Sequence, residues 1–299
     1  MSKTRDERPN SRITHLKESN SWPRFSQMSN DPSDPIHPDE LRRALAGSLF
    51  GVNVQYYSSL ESTNSLLKSL AANGAPDGTV VVADEQTGGR GRMGRNWLSL
   101  PGANLLFSIL LRPRVEPEHV FALTMILAVS AAEVLHRRTG VAALIKWPND
   151  LYAGQRKLAG ILTEFGVKGS TADYVVLGMG LNVHWHPAGR EEIRGPATSL
   201  RMETGKVLPR ADLLVRILKE FENSYGAFLN GETDLIYSKW NDLSLILGRS
   251  VMVETGAETI RGKAVQIDRV GALILELDNG VRRKVLCGDV SLRLEESKQ

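Results

Sequence analysis

The chain has 299 residues, of which 41% are apolar and 24% charged, as in a soluble globular protein of one or two domains. Its formal net charge of +3 is too small to indicate a nucleic-acid-binding surface by itself. The single cysteine, Cys287, excludes an internal disulfide and a cysteine-based zinc site, and it favours a reducing compartment, so we expect a cytoplasmic protein. Residues 120–134 are apolar but include Thr, Ser and Glu, which predicts a buried helix, and the N-terminus lacks the apolar core of a secretory signal.

The N-terminal residues 1–38 are rich in Ser, Asn, Pro and charge, with few aliphatic side chains, and predict a disordered extension. A short helix is expected over 38–49, and a second helix follows the turn residues near 60 and ends at Gly74. Two strands are then expected, over 78–86 and 103–112. A loop rich in glycine and arginine, GGRGRMGRNW, lies between these two strands.

The middle of the chain alternates helical and strand patterns. A long helix is expected over 118–138, with basic residues in its last turn and Gly140 after it. Three strand segments follow, the second a hairpin that turns at Gly154, and two more helices are expected over 210–229 and 234–243. These elements predict a mixed α/β (α+β) domain over residues 39–247.

Residues 248–299 differ from the domain before them. They consist of short β-type runs separated by glycine turns, and Asp278-Asn279-Gly280 is a hairpin signal. This pattern predicts a small all-β barrel.

The loop over 88–97 contains a G-x-G-x-x-G pattern, which is the fingerprint of a dinucleotide-binding site. Glycines and arginines alternate in it: Gly89, Arg90, Gly91, Arg92, Gly94 and Arg95. The context excludes the dinucleotide site, because a strand follows in place of a helix and no acidic residue lies about 20 positions on. Guanidinium groups bind phosphate bidentately, so a polyphosphate-binding loop is one interpretation. A solvated basic loop is the other.

Four motifs follow one another along the chain: GRGRMGRNW, KWPNDLY, RKLAGIL and GMGLNV. In this order and at these spacings they resemble the biotin protein ligases, over about residues 55–293. The resemblance implies a class II synthetase-like catalytic domain with a mixed sheet and a C-terminal SH3-like barrel. It implies that biotin is activated by ATP and Mg²⁺ to biotinyl-5′-AMP and passed to a lysine of the biotin carrier domain of a carboxylase.

The resemblance also implies the site residues. Lys157, Arg90 and Arg92 correspond to the catalytic cations. The residues implied to bind biotin are Ser62, Thr63, Asn64, Gln86, Gly89, Arg90, Lys157, Gly160 and Gly178. Those implied to bind ATP or the adenylate are Arg92, Arg95, Trp97, Lys146, Asn149 and Asn182. Asp150 could orient a lysine or help to hold a magnesium ion.

Several of these residues have a simpler interpretation. Ser62 could be a helix N-cap, Trp97 a core anchor and Asp150 a turn residue. The two histidines of "HWH", His184 and His186, have metal-compatible spacing but no evident third ligand, so we expect them to be structural. Cys287 is expected to be buried and inert.

Three functional alternatives compete with biotin ligation, and the sequence disfavours each of them. A lipoate or octanoate ligase or transferase would share the architecture, but the polar set Ser62 to Asn64 with Gln86 suits the ureido head of biotin. A DNA-binding repressor is disfavoured because few residues precede the catalytic domain. A nucleotide-dependent oxidoreductase is excluded by the loop's context. The sequence leaves open whether the protein is a monomer or a homodimer. It predicts that the glycine/arginine loop closes over the site as a lid.

Overall fold

A computed structural model describes residues 34–186, 195–286 and 288–292. The helices are α1 (Pro38–Ala44), α2 (Thr63–Ala72), α3 (Val120–Thr139), α4 (Leu200–Thr204), α5 (Arg210–Leu229) and α6 (Asp234–Asp242). The strands of the larger sheet are β1 (Val54–Tyr57), β2 (Val80–Ala83), β3 (Asn104–Leu111), β4 (Ala143–Lys146), β5 (Asp150–Ala153), β6 (Arg156–Lys168) and β7 (Thr171–Asn182). Those of the smaller sheet are β8 (Ser250–Glu254), β9 (Thr259–Ile267), β10 (Leu273–Glu276), β11 (Arg282–Val285) and β12 (Asp289–Leu292).

The larger sheet is mixed, with strand order β1-β2-β3-β7-β6-β5-β4. Strands β1 and β2 are parallel, and every other neighbouring pair is antiparallel. Helix α2 packs on β2, β3 and β7 from one face, while α3 and α5 pack together and cover the other face. All eight residues of β3 are buried because both faces of that strand are covered.

Helix α3 is the central element of the core. Residues Pro117–Thr139 are long and apolar enough to cross a membrane, but 78% of the apolar 18-residue window within them is buried inside the protein. The helix has buried residues around most of its circumference because α5, α6 and the sheet enclose it. It ends where Gly140 adopts a left-handed φ of 76°. The prediction of a buried helix in this region is confirmed.

The smaller sheet is antiparallel, with order β11-β10-β9-β8-β12, and it fits an SH3-like fold. Its β9–β10 turn contacts the larger domain, where the buried indole of Trp147 donates a hydrogen bond to the Gly271 carbonyl over 2.8 Å. The hydroxyl of Tyr237 bonds to the Arg269 carbonyl in the same turn. The mixed α/β fold with a small β domain is therefore as the sequence predicts.

The structure differs from the sequence prediction at several places. Helix α1 ends at Ala44 and not at 49, and neither β1 nor α4 was predicted. Residues 34–38, placed in the expected disordered extension, are described, with Ile36 buried and Asp34 paired at 3.0 Å with the buried Arg210. A buried arginine requires a carboxylate partner, which orders this segment. Residues 1–33 and Cys287 lie outside the described residues, and the domain limits stay a prediction.

Candidate active site

A cavity of about 920 Å³ opens where the β-sheet, the glycine/arginine loop and the C-terminal domain meet. Every predicted site residue except Gly89 lines it. Other lining residues had not been predicted, and they include Met93, Trp147, Tyr152, Ile161, Leu162, Met179, Gly180, Trp185, Ala197, Asp289 and Val290. Most of these lie in the same four motifs beside the assigned residues, whereas Trp185, Ala197, Asp289 and Val290 come from segments that no motif marks.

One end of the cavity is built from neutral polar side chains at the N-terminus of α2, and we call it the head-group end. Ser62 is the N-cap, as the simpler interpretation predicted, since its side chain accepts from the Ser65 N–H. The Gln86 Oε1 atom accepts from the Thr63 N–H at 2.7 Å and from its hydroxyl at 3.0 Å. These bonds hold the first turn of α2 against the segment after β2 that carries Gln86.

Two further residues complete the head-group end. The buried Ser108 hydroxyl lies 2.7 Å from Thr63 Oγ1 and 2.6 Å from Asn64 Oδ1. Gly178 lies beside them, and a Cβ atom there would overlap Asn64 Oδ1. Ser108 sits in the middle of an apolar strand, where its single hydroxyl gives the sequence no functional signal.

The glycine/arginine loop forms a short hairpin. The Gly91 N–H donates to the Arg95 carbonyl at 2.7 Å, and the Trp97 N–H donates to the Gly89 carbonyl at 2.9 Å. A Cβ atom on Gly89 would overlap the Trp97 backbone, so glycine is required at the base of this hairpin. Gly89 therefore supports the loop from outside the cavity surface. At the tip, Met93 has a left-handed φ of 55°.

The opposite end of the cavity is charged, and we call it the cationic end. The Lys157 ammonium lies 2.7 Å from Asp150 Oδ1 and 5.7 Å from the Trp97 ring centroid. The Lys146 ammonium lies 5.0 Å from the Tyr152 ring centroid. Burial lowers the pKa of Lys146, although the charge of Asp150 opposes this shift. Burial, followed by the charge of Asp150, raises the pKa of Tyr152 to about 12.

Trp97 lies on a floor made of two glycines. Gly160 and Gly180 pair in register between β6 and β7. A Cβ atom on Gly180 would overlap the indole, and one on Gly160 would lie 3.1 Å from it. The indole N–H is buried and has no hydrogen-bond partner among the described residues. Trp97 therefore packs against the sheet as a core anchor would, and its indole N–H remains available to donate a hydrogen bond.

The two asparagines of the motifs are held by hydrogen bonds within the protein. Asn149 accepts from Arg92 at 3.3 Å and donates to the Ile161 carbonyl at 2.5 Å. Asn182 accepts from the Asn104 side chain and donates to the Thr198 carbonyl, each at 2.9 Å. Asn182 thus joins the end of β7 to the segment that contains Ala197 at the cavity wall.

The remaining predicted residues are placed as follows. Arg95 pairs with Asp289 of β12, so the C-terminal domain contacts the loop directly. His184 bonds through Nε2 to the backbone of Leu208 at 3.0 Å, and burial lowers its pKa. That environment favours the expected structural role.

Comparison with protein families gives two matches. Residues 56–182 match the biotin/lipoate A/B protein ligase family, and residues 246–293 match the biotin protein ligase C-terminal domain. The chain belongs to the biotin protein ligase family. The second match carries the distinction, because the first family includes lipoate ligases.

Among relatives of this ligase, the bifunctional ligase/repressor BirA of Bacillus subtilis is 35% identical, over 86% of this chain and 79% of its own. The biotin–[acetyl-CoA-carboxylase] ligase of Mycobacterium tuberculosis is 34% identical, over 86% of this chain and 97% of its own. The structure of the Aquifex aeolicus biotin protein ligase in complex with biotin and ATP is similar, with a TM-score of 0.69 and 32% identity, over 81% of this chain and 99% of that chain.

Proposed function

We propose that the cavity is the active site of an ATP-dependent biotin protein ligase. The observation that carries this function is the meeting of two sets of side chains in one cavity. Neutral donors and acceptors on α2 face one end, and cations from three separate segments face the other, namely Arg92, Lys146 and Lys157. Such a division suits a ligand with a polar uncharged head and a carboxylate that reacts with a polyphosphate.

The reaction needs no nucleophile from the protein. A biotin carboxylate oxygen attacks the α-phosphorus of ATP, a P–O bond forms, and the bond to the β-phosphate breaks to release pyrophosphate. The neutral amine of an acceptor lysine then attacks the acyl carbon, forming an amide and releasing AMP, while the amine proton goes to solvent. The protein contributes orientation and positive charge where negative charge develops.

The proposed roles follow the two ends. Thr63, Asn64 and Gln86 hold the ureido head, with Ser62 at its rim. Lys157 and Arg92 stabilise charge on the carboxylate and the α-phosphate. Gly160 and Gly178 permit close approach of the ligand to the strands. The remaining members of the adenylate set are Arg95, Trp97, Lys146, Asn149 and Asn182.

Magnesium is proposed as a partner of the ATP phosphates. Mg²⁺ in nucleotide sites takes one or two carboxylates and completes its octahedron with phosphates and water. Asp150 fits that pattern, because Lys157 contacts Oδ1 while the carboxylate faces the cavity. The ion would neutralise phosphate charge, and Asp150 would hold both it and the lysine.

We further propose that the acceptor is the biotin carrier domain of a carboxylase in the cytoplasm. The cavity is lined by the loop and, from the C-terminal domain, by Asp289 and Val290. A carrier lysine would enter there.

ATP–pyrophosphate exchange tests the function. Exchange should appear with biotin and be absent with lipoate or octanoate, because the head-group end presents hydrogen-bonding groups that an alkyl tail would leave unpaired. Exchange with lipoate and none with biotin would contradict the proposal.

A further inference from the structure

We propose that Glu164 is a positioning residue that ties closure of the glycine/arginine loop to occupancy of the head-group end. The inference rests on the proposed function, because it concerns how the biotin site reports to the loop. Glu164 belongs to none of the four motifs whose residues were assigned to the site. It lies on β6, and its side chain is 16% exposed.

Glu164 joins three segments through its two carboxylate oxygens. Oε2 accepts from the Asn64 side-chain amide at 3.1 Å, at the head-group end. Oε1 accepts from Lys68 on α2 at 2.7 Å and from Arg90 on the loop at 3.1 Å. Burial alone would raise the pKa of this carboxyl, but the Lys68 and Asn64 hydrogen bonds and the charge of Arg90 hold it below its usual value, so Glu164 is ionised.

Arg90 is consequently attached to α2. Its guanidinium contacts Ser65 at 3.3 Å in addition to Glu164, and its side chain is 44% exposed. This arrangement closes the loop hairpin over the helix whose first turn bears Thr63 and Asn64. An arginine fork that bridges a hydroxyl and a carboxylate has a fixed direction, which suits a latch.

The coupling follows from the shared carboxylate. Asn64 is held through Oδ1 by Ser108 and through Nδ2 by Glu164 and the Leu162 carbonyl. A ligand that bonds to the head-group end restrains the side chain of Asn64 and, through it, the carboxylate of Glu164. This restraint favours the Glu164 rotamer that accepts a hydrogen bond from Arg90. Glu164 therefore makes loop closure depend on the head of the ligand as well as on its charge.

A double-mutant cycle tests this coupling. The variants are Glu164→Gln, Arg90→Gln and the double variant, and the measurement is the rate at which biotinyl-adenylate leaves the enzyme. We expect each single variant to release it about tenfold faster, since each removes a charge-assisted hydrogen bond. The double variant should release it no faster than the singles. If the release rate of the double variant rose by the product of the two single effects, the two residues would act independently and the inference would be overturned. An unchanged release rate in Glu164→Gln would overturn it as well.

Glu133→Gln is the matched control, because Glu133 is a 22% exposed carboxylate that also pairs with one lysine and one arginine, away from the cavity. Its release rate should equal that of the unaltered enzyme.

A second measurement keeps Glu164 in place and follows the protection of the loop from trypsin by biotin. Biotin alone should slow tryptic cleavage at residues 90–95 in the unaltered enzyme and not in Arg90→Gln at its remaining sites. Equal protection in both would contradict the latch, whereas failure of biotin-dependent exchange in the unaltered enzyme would contradict the proposed function itself.

Discussion

The two ends of the cavity hold their polar groups in different ways. At the head-group end, Thr63, Asn64 and Ser108 are buried, and the Ser108 hydroxyl lies within hydrogen-bonding distance of both of the others. At the cationic end, Lys157 and Arg95 are about one-third to one-half exposed, and each is paired with a single carboxylate.

This difference indicates that one end recognises the head of the ligand and the other determines the rate of the chemical step. A buried neutral network has one low-energy arrangement, so it selects a ligand by its pattern of donors and acceptors. Half-exposed cations can exchange a carboxylate for a phosphate at small cost, because surface ion pairs contribute only about 0–1 kcal/mol. Substitutions at the first end should therefore change the KM for biotin, and substitutions of the half-exposed cations at the second should change kcat.

The largest effect is expected for Lys157→Ala. It should reduce ATP–pyrophosphate exchange by at least about a hundredfold, because the lysine supplies charge in the transition state. Lys239→Ala is the matched control, since Lys239 has the same degree of exposure and a similar ion pair at 2.8 Å, but lies outside the cavity. Near-normal exchange in Lys157→Ala would assign this role to Lys146.

Gly178→Ala should raise the KM for biotin by about thirtyfold with a smaller change in kcat. The added methyl group would displace Asn64, and overpacking of this kind costs about 1–3 kcal/mol. Gly226→Ala, on α5, is the control, because a Cβ atom there meets nothing within 4 Å and alanine favours the helix. A kcat defect with unchanged KM would break the division between the two ends.

Ser108→Ala should raise the KM for biotin by about fivefold, since the hydroxyl contributes about 1 kcal/mol through Thr63 and Asn64. Ser130→Ala removes another buried hydroxyl, one that has no hydrogen-bond partner in the described part of the chain, and should leave the KM unchanged. Equal KM values in the two variants would show that the head-group network does not depend on Ser108.

The smallest effect concerns pH. Because burial lowers the pKa of Lys146 below 10.5, this lysine loses its charge at a lower pH than an exposed lysine does. The KM for ATP should rise about threefold on the alkaline side, and Lys146→Arg should remove the rise, since arginine stays charged. The stability of the fold should increase over the same pH range in which ATP binding weakens. Between the lowered pKa of Lys146 and 10.5 the unfolded chain binds more protons than the folded chain does, so the free energy of unfolding increases with pH. A KM for ATP that is flat over this range would contradict a role for Lys146.

Patterns that depend on neighbours in sequence predicted the elements well. The helix over 210–229 and the hairpin at Gly154 occur where expected, because periodicity and turn residues act locally. Strand β1 was missed, since Val54–Tyr57 is four residues long and its pairing partner β2 lies beyond α2. The motifs brought Lys157 and Trp97 to one cavity as expected, while their roles stay predictions.

The sequence by itself determined most of the elements and their order, the mixed α/β class with its small β domain, and the residues that belong to the family's motifs. All of these depend on local propensity or on short fixed spacings. Only the tertiary structure decided that Ser108 supports Thr63 and that Asp289 contacts the loop. It also decided that Glu164 accepts hydrogen bonds from both Asn64 and Arg90. Each of these contacts joins segments that are far apart in the chain, and its existence depends on strand order and register, which no short pattern encodes.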